Sequence, residues 1–217
     1  MHFRDRQDAG ERLAELLLKF ARQEGVVYAL PRGGVVPGAI IARRLQMPLE
    51  VITARKIGHP MNPEYAIAAV TDTGEIASNS REVMRVDADW FRRAAGAQQQ
   101  EAQRRYRRFM AGRKPVDVTG KVAILVDDGV ATGLTMEAAI RQARQRRPGR
   151  LVLAVPVIPD DTAQRLGQLV DEVVALTIDH DYLGAVGAYY GDFHQVTDDE
   201  VMALLRGVGA DADSGAI

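Results

Sequence analysis

The sequence contains no cysteine in its 217 residues. This absence excludes disulfide bonds, thiolate zinc sites and thiol nucleophiles. It suits a reducing compartment, although a chain without cysteine can occur in any compartment. Of the four histidines, His2, His180 and His194 have no second ligand at metal-binding spacing, so the sequence predicts no zinc site.

A long apolar run and an excess of charge are also missing. No stretch approaches the ~20 apolar residues that span a bilayer, and residues 1–17 are too polar for a secretory signal with an apolar centre. The formal net charge of −1 provides no whole-protein field that would gather nucleic acid. With 47% hydrophobic and 26% charged residues, the composition is typical of a soluble globular domain, and a cytoplasmic location is expected.

Apolar segments alternate with segments of helical periodicity along the chain. Strands are predicted at 26–30, 49–54, 122–127, 151–157 and 172–177, and helices at 36–45, 135–145 and 162–170. Strands that are apolar on both faces and alternate with helices indicate a parallel sheet covered on two sides. The sequence therefore predicts an α/β fold in one domain over residues 1–207, with residues 208–217 as a disordered tail.

The remaining segments predict local elements around this sheet. Asp8 is expected to cap a first helix. Residues 55–64 are polar and contain glycine and two prolines, which predicts a mobile loop. Residues 67–71 and 75–77 are expected to pair as a hairpin, and residues 89–110 to form a long helix.

The most informative segment is residues 123–135, Ala-Ile-Leu-Val-Asp-Asp-Gly-Val-Ala-Thr-Gly-Leu-Thr. A buried strand ends in two adjacent carboxylates, Asp127 and Asp128, and a turn of small and hydroxyl residues then leads into a helix. The N–H groups of such a turn and of the helix start bind an anion, and the hydroxyls of Thr132 and Thr135 add donors. Gly133 lets the backbone approach a phosphate without an intervening side chain.

Two carboxylates beside an anion site would repel a bare phosphate. They are explained if they bind sugar hydroxyls or help to hold Mg²⁺, so a phosphorylated sugar satisfies both halves of the site. The alternative is an ordinary strand-to-helix turn in which Asp128 or Thr132 is only a cap. The apolar strand before the acids and the Ala-Thr-Gly-x-Thr run after them favour the ligand site.

Residues 126–135 resemble the signature of the type I phosphoribosyltransferases, which has four apolar residues, two acids, two apolar residues and then Thr-Gly-x-Thr among small residues. The resemblance implies that Asp127 and Asp128 hold the ribose hydroxyls of 5-phosphoribosyl-1-pyrophosphate (PRPP) and take part in Mg²⁺ binding, partly through ligand or water. It also implies that the 5′-phosphate loop consists of Ala131, Thr132, Gly133, Leu134 and Thr135. The C-terminal run 190–201 is similar to that of a poorly characterised subgroup of this family.

The resemblance extends to two other segments. Arg32, Gly33 and Gly34 follow the first predicted strand, where the family has its pyrophosphate loop, and Lys56 ends the second, where the family often places a cation. A diphosphate binds poorly without nearby cations, so Arg32 and Lys56 are the expected catalytic cations, although each taken alone is also explained as a solvated surface charge. Residues 58–64 occupy the place of the family's flexible lid.

Several polar and aromatic side chains have two interpretations. His59, Glu64 and Tyr65 on the expected lid contact substrate or simply face water. The aromatic residues near the C-terminus stack on a base or pack the family's variable hood, here expected at about 80–115 and 180–200; they are Tyr182, Tyr189, Tyr190 and Phe193. Packing is the favoured interpretation.

The resemblance implies a Rossmann-like parallel sheet flanked by helices, and transfer of the phosphoribosyl group to a nitrogenous base with release of pyrophosphate. The expected partners are PRPP and a nucleobase-like molecule, and a homodimer is one option for the oligomeric state. Some purine-specific members have a third acid where this chain has Ala131, so no general base is assigned. The alternative is a non-catalytic PRPP sensor.

Residues 92–114 contain eight Arg or Lys and one acid, a local charge of +7. A basic stripe is the electrostatic footprint of nucleic-acid binding. RNA binding is therefore part of the alternative function, the non-catalytic PRPP sensor. The competing interpretation is a solvated helix face, and nucleic acid is not expected as a partner. A stacking platform is not predicted, because Trp90, Tyr106 and Phe109 fit a buried stripe.

Overall fold

The computed structural model describes residues 2–213, with side chains as far as Val208. In chain order its elements are α1 (Arg6–Leu16), β1 (Gly25–Ala29), α2 (Val35–Leu45), β2 (Leu49–Val51), β3 (Ala54–His59), β4 (Asn62–Thr71), β5 (Ile76–Ser78), α3 (Ser80–Val83), α4 (Ala88–Phe109), β6 (Val122–Val126), α5 (Leu134–Gln145), β7 (Arg150–Pro159), α6 (Asp160–Gly167), β8 (Glu172–Asp179) and α7 (Asp198–Asp213). Short 3₁₀ turns lie at Leu18–Phe20 and Val186–Tyr189.

The main sheet has five strands in the order β2-β1-β6-β7-β8, and every pair is parallel. The predicted α/β fold class is confirmed. One face packs on α1, α2 and α7, where Val27 and Ile124 meet Leu13 and Leu205. The other face packs on α5 and α6, where Val26 and Leu125 meet residues such as Ile140 and Leu166. Since both faces are covered, all five strand positions of β6 are buried.

Two central strands, β1 and β6, end level with one another. Their last residues, Ala29 and Val126, are paired, whereas β7 passes its pairing residue Ala154 and continues to Pro159. Parallel sheets of this type place ligands at the carboxyl edge. The loops after β1 and β6 therefore start side by side.

Residues 55–64, predicted to be a mobile loop, form an antiparallel hairpin of β3 and β4 instead. Gly58 lies at an irregularity in the pairing, and a Cβ there would approach the carbonyl oxygen of Pro63 to 2.1 Å. Glycine and proline therefore mark a β-bulge, where two backbones come close, and not a break in the strand. The hairpin predicted at 67–71 and 75–77 is confirmed as β4 and β5.

The three-stranded sheet β3-β4-β5 lies between two helices. Ile57 and Val70 face Ala95 of α4, while Ala69 and Ala77 face Ala138 of α5. Helix α5 therefore contacts both sheets, and its start lies at the carboxyl edge of the larger one.

The chain ends differ from the sequence expectations. Asp5, not Asp8, caps α1, because its carboxylate accepts the N–H of Asp8 at 2.8 Å. Helix α7 includes residues 208–213, which were expected to belong to a disordered tail, and residues 214–217 lie outside the described part. Within residues 2–213, no helix has the length and apolar character needed to cross a membrane.

A buried carboxyl group joins the two sheets. Asp72, 8% exposed, lies in the β4–β5 turn and accepts hydrogen bonds from Thr53 Oγ1 at 3.2 Å and Gln142 Nε2 at 3.3 Å. Its backbone carbonyl accepts a bond from Gln103 Nε2 at 3.0 Å. These donors are neutral, and burial raises the pKa of Asp72 above its ordinary value.

We expect Asp72→Asn to stabilise the protein increasingly as pH rises. A raised pKa means that the folded chain binds the Asp72 proton more tightly than the unfolded chain. That contribution to stability is complete below the unfolded pKa of about 3.9 and is lost as pH rises through the folded pKa. Urea unfolding at about pH 4 and pH 7 should show the variant gaining free energy of unfolding relative to wild type. The exposed Asp181, changed to Asn, is the control, and an Asp72→Asn effect independent of pH would contradict this account.

Candidate functional site

Two adjacent carboxyl groups lie at the end of the central strand. Asp127 and Asp128 follow β6 directly, and the N–H of Asp128 donates to Asp127 Oδ1 at 2.8 Å. Burial is the main cause that raises the pKa of Asp127 well above its ordinary value, and repulsion from the Asp128 carboxylate is the second. The strand end therefore places two carboxyl groups side by side at a site with limited solvent, where a second negative charge is disfavoured.

The loop after β1, residues 30–34 and here called the glycine loop, lies directly on these acids. A Cβ at Gly33 would stand 1.9 Å from Asp128 Oδ2, and a Cβ at Gly34 would stand 2.8 Å from the Cα of Asp127. The preceding Pro31–Arg32 peptide bond is cis. Only glycine fits at position 33 without displacing the carboxylate, so the two predicted loops form one continuous surface.

The loop of residues 131–135, here called the anion loop, presents backbone N–H groups at the start of α5. Gly133 is the N-cap residue, with a left-handed φ of +76°, and no side chain caps the helix. The carbonyl oxygens of Ala131 and Thr132 accept bonds from Thr162 Oγ1 at 3.1 Å and Arg165 Nη2 at 2.6 Å. Helix α6 therefore holds the loop carbonyls while the helix-start N–H groups keep their capacity for an anion.

The two predicted cations have different surroundings. Arg32 Nη1 lies 3.7 Å from Asp198 Oδ1, and Arg108 Nη1 lies 2.6 Å from the other oxygen of that carboxylate. Lys56 does not end the second strand as predicted: β2 stops at Val51, and Lys56 is exposed on β3 of the other sheet. Its neighbour Arg55 donates to Gln98 Oε1 of α4 at 3.2 Å. The contact of Arg32 with α7 was not predicted, since no sequence pattern links residues 32 and 198.

Lys56 and Thr135 line the same cavity, of about 640 Å³. It runs along β3 between α4 and the start of α5, and His59 and Glu64 of the expected lid also line it. Tyr65 is 47% exposed and is not among the lining residues. The structure therefore brings the predicted lid, one predicted cation and the anion loop together.

A second cavity, of about 540 Å³, adjoins the other side of the anion loop. Ala131 and Thr132 line it together with residues that follow β7 and β8, among them His180 and Tyr182. The buried Tyr182 hydroxyl has no hydrogen-bond partner among the described residues. The Tyr189 hydroxyl donates to Asp179 Oδ2 at 2.5 Å and the Tyr190 hydroxyl to the Asp128 carbonyl at 2.6 Å, so hydrogen bonds hold these two side chains within the cluster that they pack in.

The sequence analysis missed Arg6, whose Nε donates to Asp128 Oδ2 at 2.6 Å. This guanidinium is 9% exposed, lies 3.7 Å from the ring centroid of Phe193 and donates from Nη1 to the His194 carbonyl at 2.8 Å. It comes from the first residue of α1, 122 positions before its partner. No local motif marks such a long-range contact, so no signal in the sequence identifies it.

The acid pair fits a magnesium ion that is shared with a ligand. The described residues contain no group of three or more His, Cys, Asp or Glu side chains suited to hold a metal, and Arg6 occupies Asp128 Oδ2. Carboxylate oxygens remain at Asp127 and Asp128. One or two carboxylates with phosphate oxygens and waters are the usual surroundings of Mg²⁺ at phosphate sites.

Solved structures include a close match to this chain. The crystal structure of the protein TT1426 from Thermus thermophilus superposes with a TM-score of 0.79 at 43% sequence identity, covering 94% of this chain and 98% of that one. The likeness therefore extends over nearly the whole architecture.

Curated relatives include two proteins of Mycobacterium tuberculosis, from strains CDC 1551 / Oshkosh and H37Rv, whose names carry phosphoribosyl transferase as a provisional assignment. Each is 42% identical over 218 residues, which cover 99% of this chain and 49% of the relative. The chain thus spans about half the length of the curated relatives it matches.

A family match covers most of the chain and includes every residue of the acid pair and the anion loop. Residues 5–188 match the sequence profile described as the phosphoribosyl transferase domain. Together with the parallel five-stranded sheet and the strand-end acids, this match confirms the resemblance noted in residues 126–135, and the chain belongs to the phosphoribosyl transferase domain family.

Proposed function

We propose that this chain is a Mg²⁺-dependent phosphoribosyltransferase that moves the ribose 5-phosphate group of PRPP to a nitrogenous base and releases pyrophosphate. The observation that carries the proposal is the contact of three elements at one edge: an uncapped helix start at Gly133, the acids Asp127 and Asp128, and a glycine loop that touches those acids. A sugar that bears phosphate at one end and pyrophosphate at the other matches this order of groups.

The anion loop receives the 5′-phosphate in this proposal. Its donors are the backbone N–H groups of residues 131–135 and the hydroxyls of Thr132 and Thr135, and the dipole of α5 favours the dianion. Asp127 and Asp128 accept hydrogen bonds from the ribose hydroxyls, which are donors that a phosphate lacks.

The pyrophosphate lies between the glycine loop and β3. Arg32 and Lys56 are its cations, and the backbone at Gly33 and Gly34 approaches it closely. When bound, Mg²⁺ offsets the charge of the departing pyrophosphate. The bond from the anomeric carbon to the pyrophosphate oxygen breaks with its electron pair on pyrophosphate, the bond from that carbon to a base nitrogen forms, and the nitrogen loses its proton.

Water must be excluded while the anomeric carbon is oxocarbenium-like, because an exposed cation would be hydrolysed. The β3–β4 hairpin carries His59 and Glu64 to the wall of the first cavity and is the element proposed to close over it. Closure of this hairpin would also bring Lys56 towards the pyrophosphate.

The acceptor is proposed to enter beside Ala131, where the second cavity begins. Ala131 carries no acid, so the proton of the incoming nitrogen is assigned to no side chain of this motif. A nucleobase-like acceptor, a homodimeric assembly and a cytoplasmic location also belong to the proposal.

A non-catalytic PRPP sensor that also binds RNA is the competing proposal. Its basis is the basic segment 92–114, but several of these cations are engaged within the protein. Arg104 and Arg105 both bind Glu101, and Arg108 binds Asp198. The neighbouring carboxylates offset part of the positive charge that would attract phosphates, and the transferase proposal is therefore preferred.

Turnover separates the two proposals. Labelled PRPP with Mg²⁺ and a panel of purine, pyrimidine and related bases should give pyrophosphate release with at least one base. Heat protection by PRPP without release on any base would instead support the sensor. Absence of both protection and release would contradict the two proposals together.

The double variant Asp127→Asn with Asp128→Asn should lose PRPP binding. Each charged hydrogen bond contributes about 1.5–3 kcal/mol, so we expect affinity to fall roughly a hundredfold or more. Calorimetric titration with PRPP and Mg²⁺ measures this loss, and Asp171→Asn with Glu172→Gln, an adjacent acid pair at the start of β8 and so at the opposite edge of the sheet, is the matched control. Wild-type affinity in the first variant would contradict the sugar-binding role.

Gly33→Ala should damage the site through steric overlap. Its Cβ would stand 1.9 Å from Asp128 Oδ2, and overpacking of this kind costs roughly 1–3 kcal/mol of unfolding free energy. We expect PRPP affinity to fall about tenfold or more, since the same overlap displaces a sugar-binding carboxylate. Gly96→Ala is the control because no atom lies within 4 Å of its Cβ, and in a helix this change stabilises by up to about 1 kcal/mol. Equal behaviour of the two variants would contradict the close contact.

A further inference from the structure

Arg6 is an ion-pair partner built into the site from outside its motifs. Its Nε donates to Asp128 Oδ2 at 2.6 Å, and both side chains are largely buried, at 9% and 14% exposed. The remaining polar contact of Arg6 is a 2.8 Å bond from Nη1 to the His194 carbonyl, and its guanidinium lies 3.7 Å from the centroid of the Phe193 ring. These contacts with Asp128, the His194 carbonyl and the Phe193 ring hold the guanidinium from three directions.

The same segments also hold the backbone of Asp128. The Tyr190 hydroxyl donates to its carbonyl at 2.6 Å, and Tyr190 packs on Phe193, with ring centroids 4.9 Å apart. Phe3 pairs with Tyr190 across an isolated β-bridge, so the start of the chain and residues 189–194 form one support. Side chain and backbone of Asp128 are thus both anchored to parts of the chain remote from β6.

This anchoring selects which oxygen of Asp128 is offered to a ligand. Oδ2 is occupied by Arg6 and faces the loop at Gly33. Among the described residues, no hydrogen bond to Oδ1 is found. A charged hydrogen bond at 2.6 Å in a site with little solvent also keeps the carboxylate in a fixed orientation.

We propose that Arg6 is a positioning residue for the sugar-binding carboxylate Asp128, fixing its orientation so that Oδ1 accepts a ribose hydroxyl, while Arg6 itself touches no phosphate. The inference rests on the proposed function and extends it to a residue outside the family signature. Its basis is the pairing geometry together with burial: Nε and Nη1 of Arg6 are engaged, and the side chain is only 9% exposed, so its other N–H groups have little access to a ligand.

The proposal predicts that Arg6 affects binding of the sugar and not of the leaving group. We expect Arg6→Gln to weaken PRPP binding about tenfold or more, as charged hydrogen bonds do when one partner is removed. Affinity for inorganic pyrophosphate, measured without Mg²⁺, should stay within about twofold, because that ligand then has no link to Asp128. Arg6→Lys, which keeps the charge but not the Nε geometry, should restore part of the PRPP affinity.

A double-variant cycle identifies Asp128 as the group through which Arg6 acts. In an Asp128→Asn background, adding Arg6→Gln should change PRPP affinity little, so the two effects should not add. Arg146→Gln is the matched control, because Arg146 is also ion-paired, to Glu50 at 2.9 Å, and lies over an aromatic ring, Tyr28. It stands at the other end of α5, ~20 Å from Gly133 at 1.5 Å per residue, and its loss should lower stability but leave PRPP affinity unchanged.

The outcomes separate this inference from the proposed function. If wild-type protein binds no PRPP, both are contradicted. If wild type binds PRPP and Arg6→Gln binds it equally well, only the role of Arg6 is overturned. Equal losses for pyrophosphate and PRPP, or additive effects in the cycle, would also overturn it, because they would show direct phosphate contact or general disruption.

Discussion

The uncapped backbone N–H groups at the start of α5 lie at the carboxyl edge of the parallel sheet, and the rest of the site is arranged around them. Gly133, in a left-handed conformation, is the N-cap residue of α5, and no side chain caps the helix. On the other side of the loop, Thr162 and Arg165 of α6 donate hydrogen bonds to the loop carbonyls. A helix start in this state has four N–H groups without intrahelical partners. An anion is the natural partner for such a group of donors.

The acids next to this anion site are held in place by contacts from three directions. The strand β6 delivers Asp127 and Asp128 to the edge, the glycine loop closes on them without room for a side chain, and Arg6 binds Asp128 from α1. Because one carboxylate already has a cation, the pair combines an ionic partner with oxygens that remain for hydroxyl groups. N–H donors on one side and carboxylate acceptors on the other are what a phosphorylated sugar, the proposed ligand, requires.

Local patterns in the sequence predicted the parts of the site that are continuous in the chain. The five strands of the main sheet and the loop of residues 131–135 follow from apolar runs, small residues and a helix start, all of which are short-range signals. The hairpin of β3 and β4 was wrongly predicted as a loop. Glycine and proline are typical of loops, but here Gly58 and Pro63 lie at a β-bulge. A propensity for breaking structure and a need for close backbone approach look alike in a sequence.

Contacts between distant segments could not be predicted in the same way. Arg6 and Asp128 are 122 positions apart, and Arg32 meets Asp198 only because α7 returns to the loop after β1. Neither pair has periodicity or spacing that marks it, since ion pairs depend on where the chain returns and not on local composition. The sequence therefore predicted the candidate carboxylates Asp127 and Asp128 and the candidate cation Arg32, but not the residues that contact them.

A crystal structure of the protein with PRPP and Mg²⁺ tests the central claim most directly. The account predicts the 5′-phosphate within hydrogen-bonding distance of the N–H groups of residues 131–135, with the ribose hydroxyls on Asp127 and Asp128. A ligand bound elsewhere, with Thr132 to Thr135 free of phosphate, would contradict it.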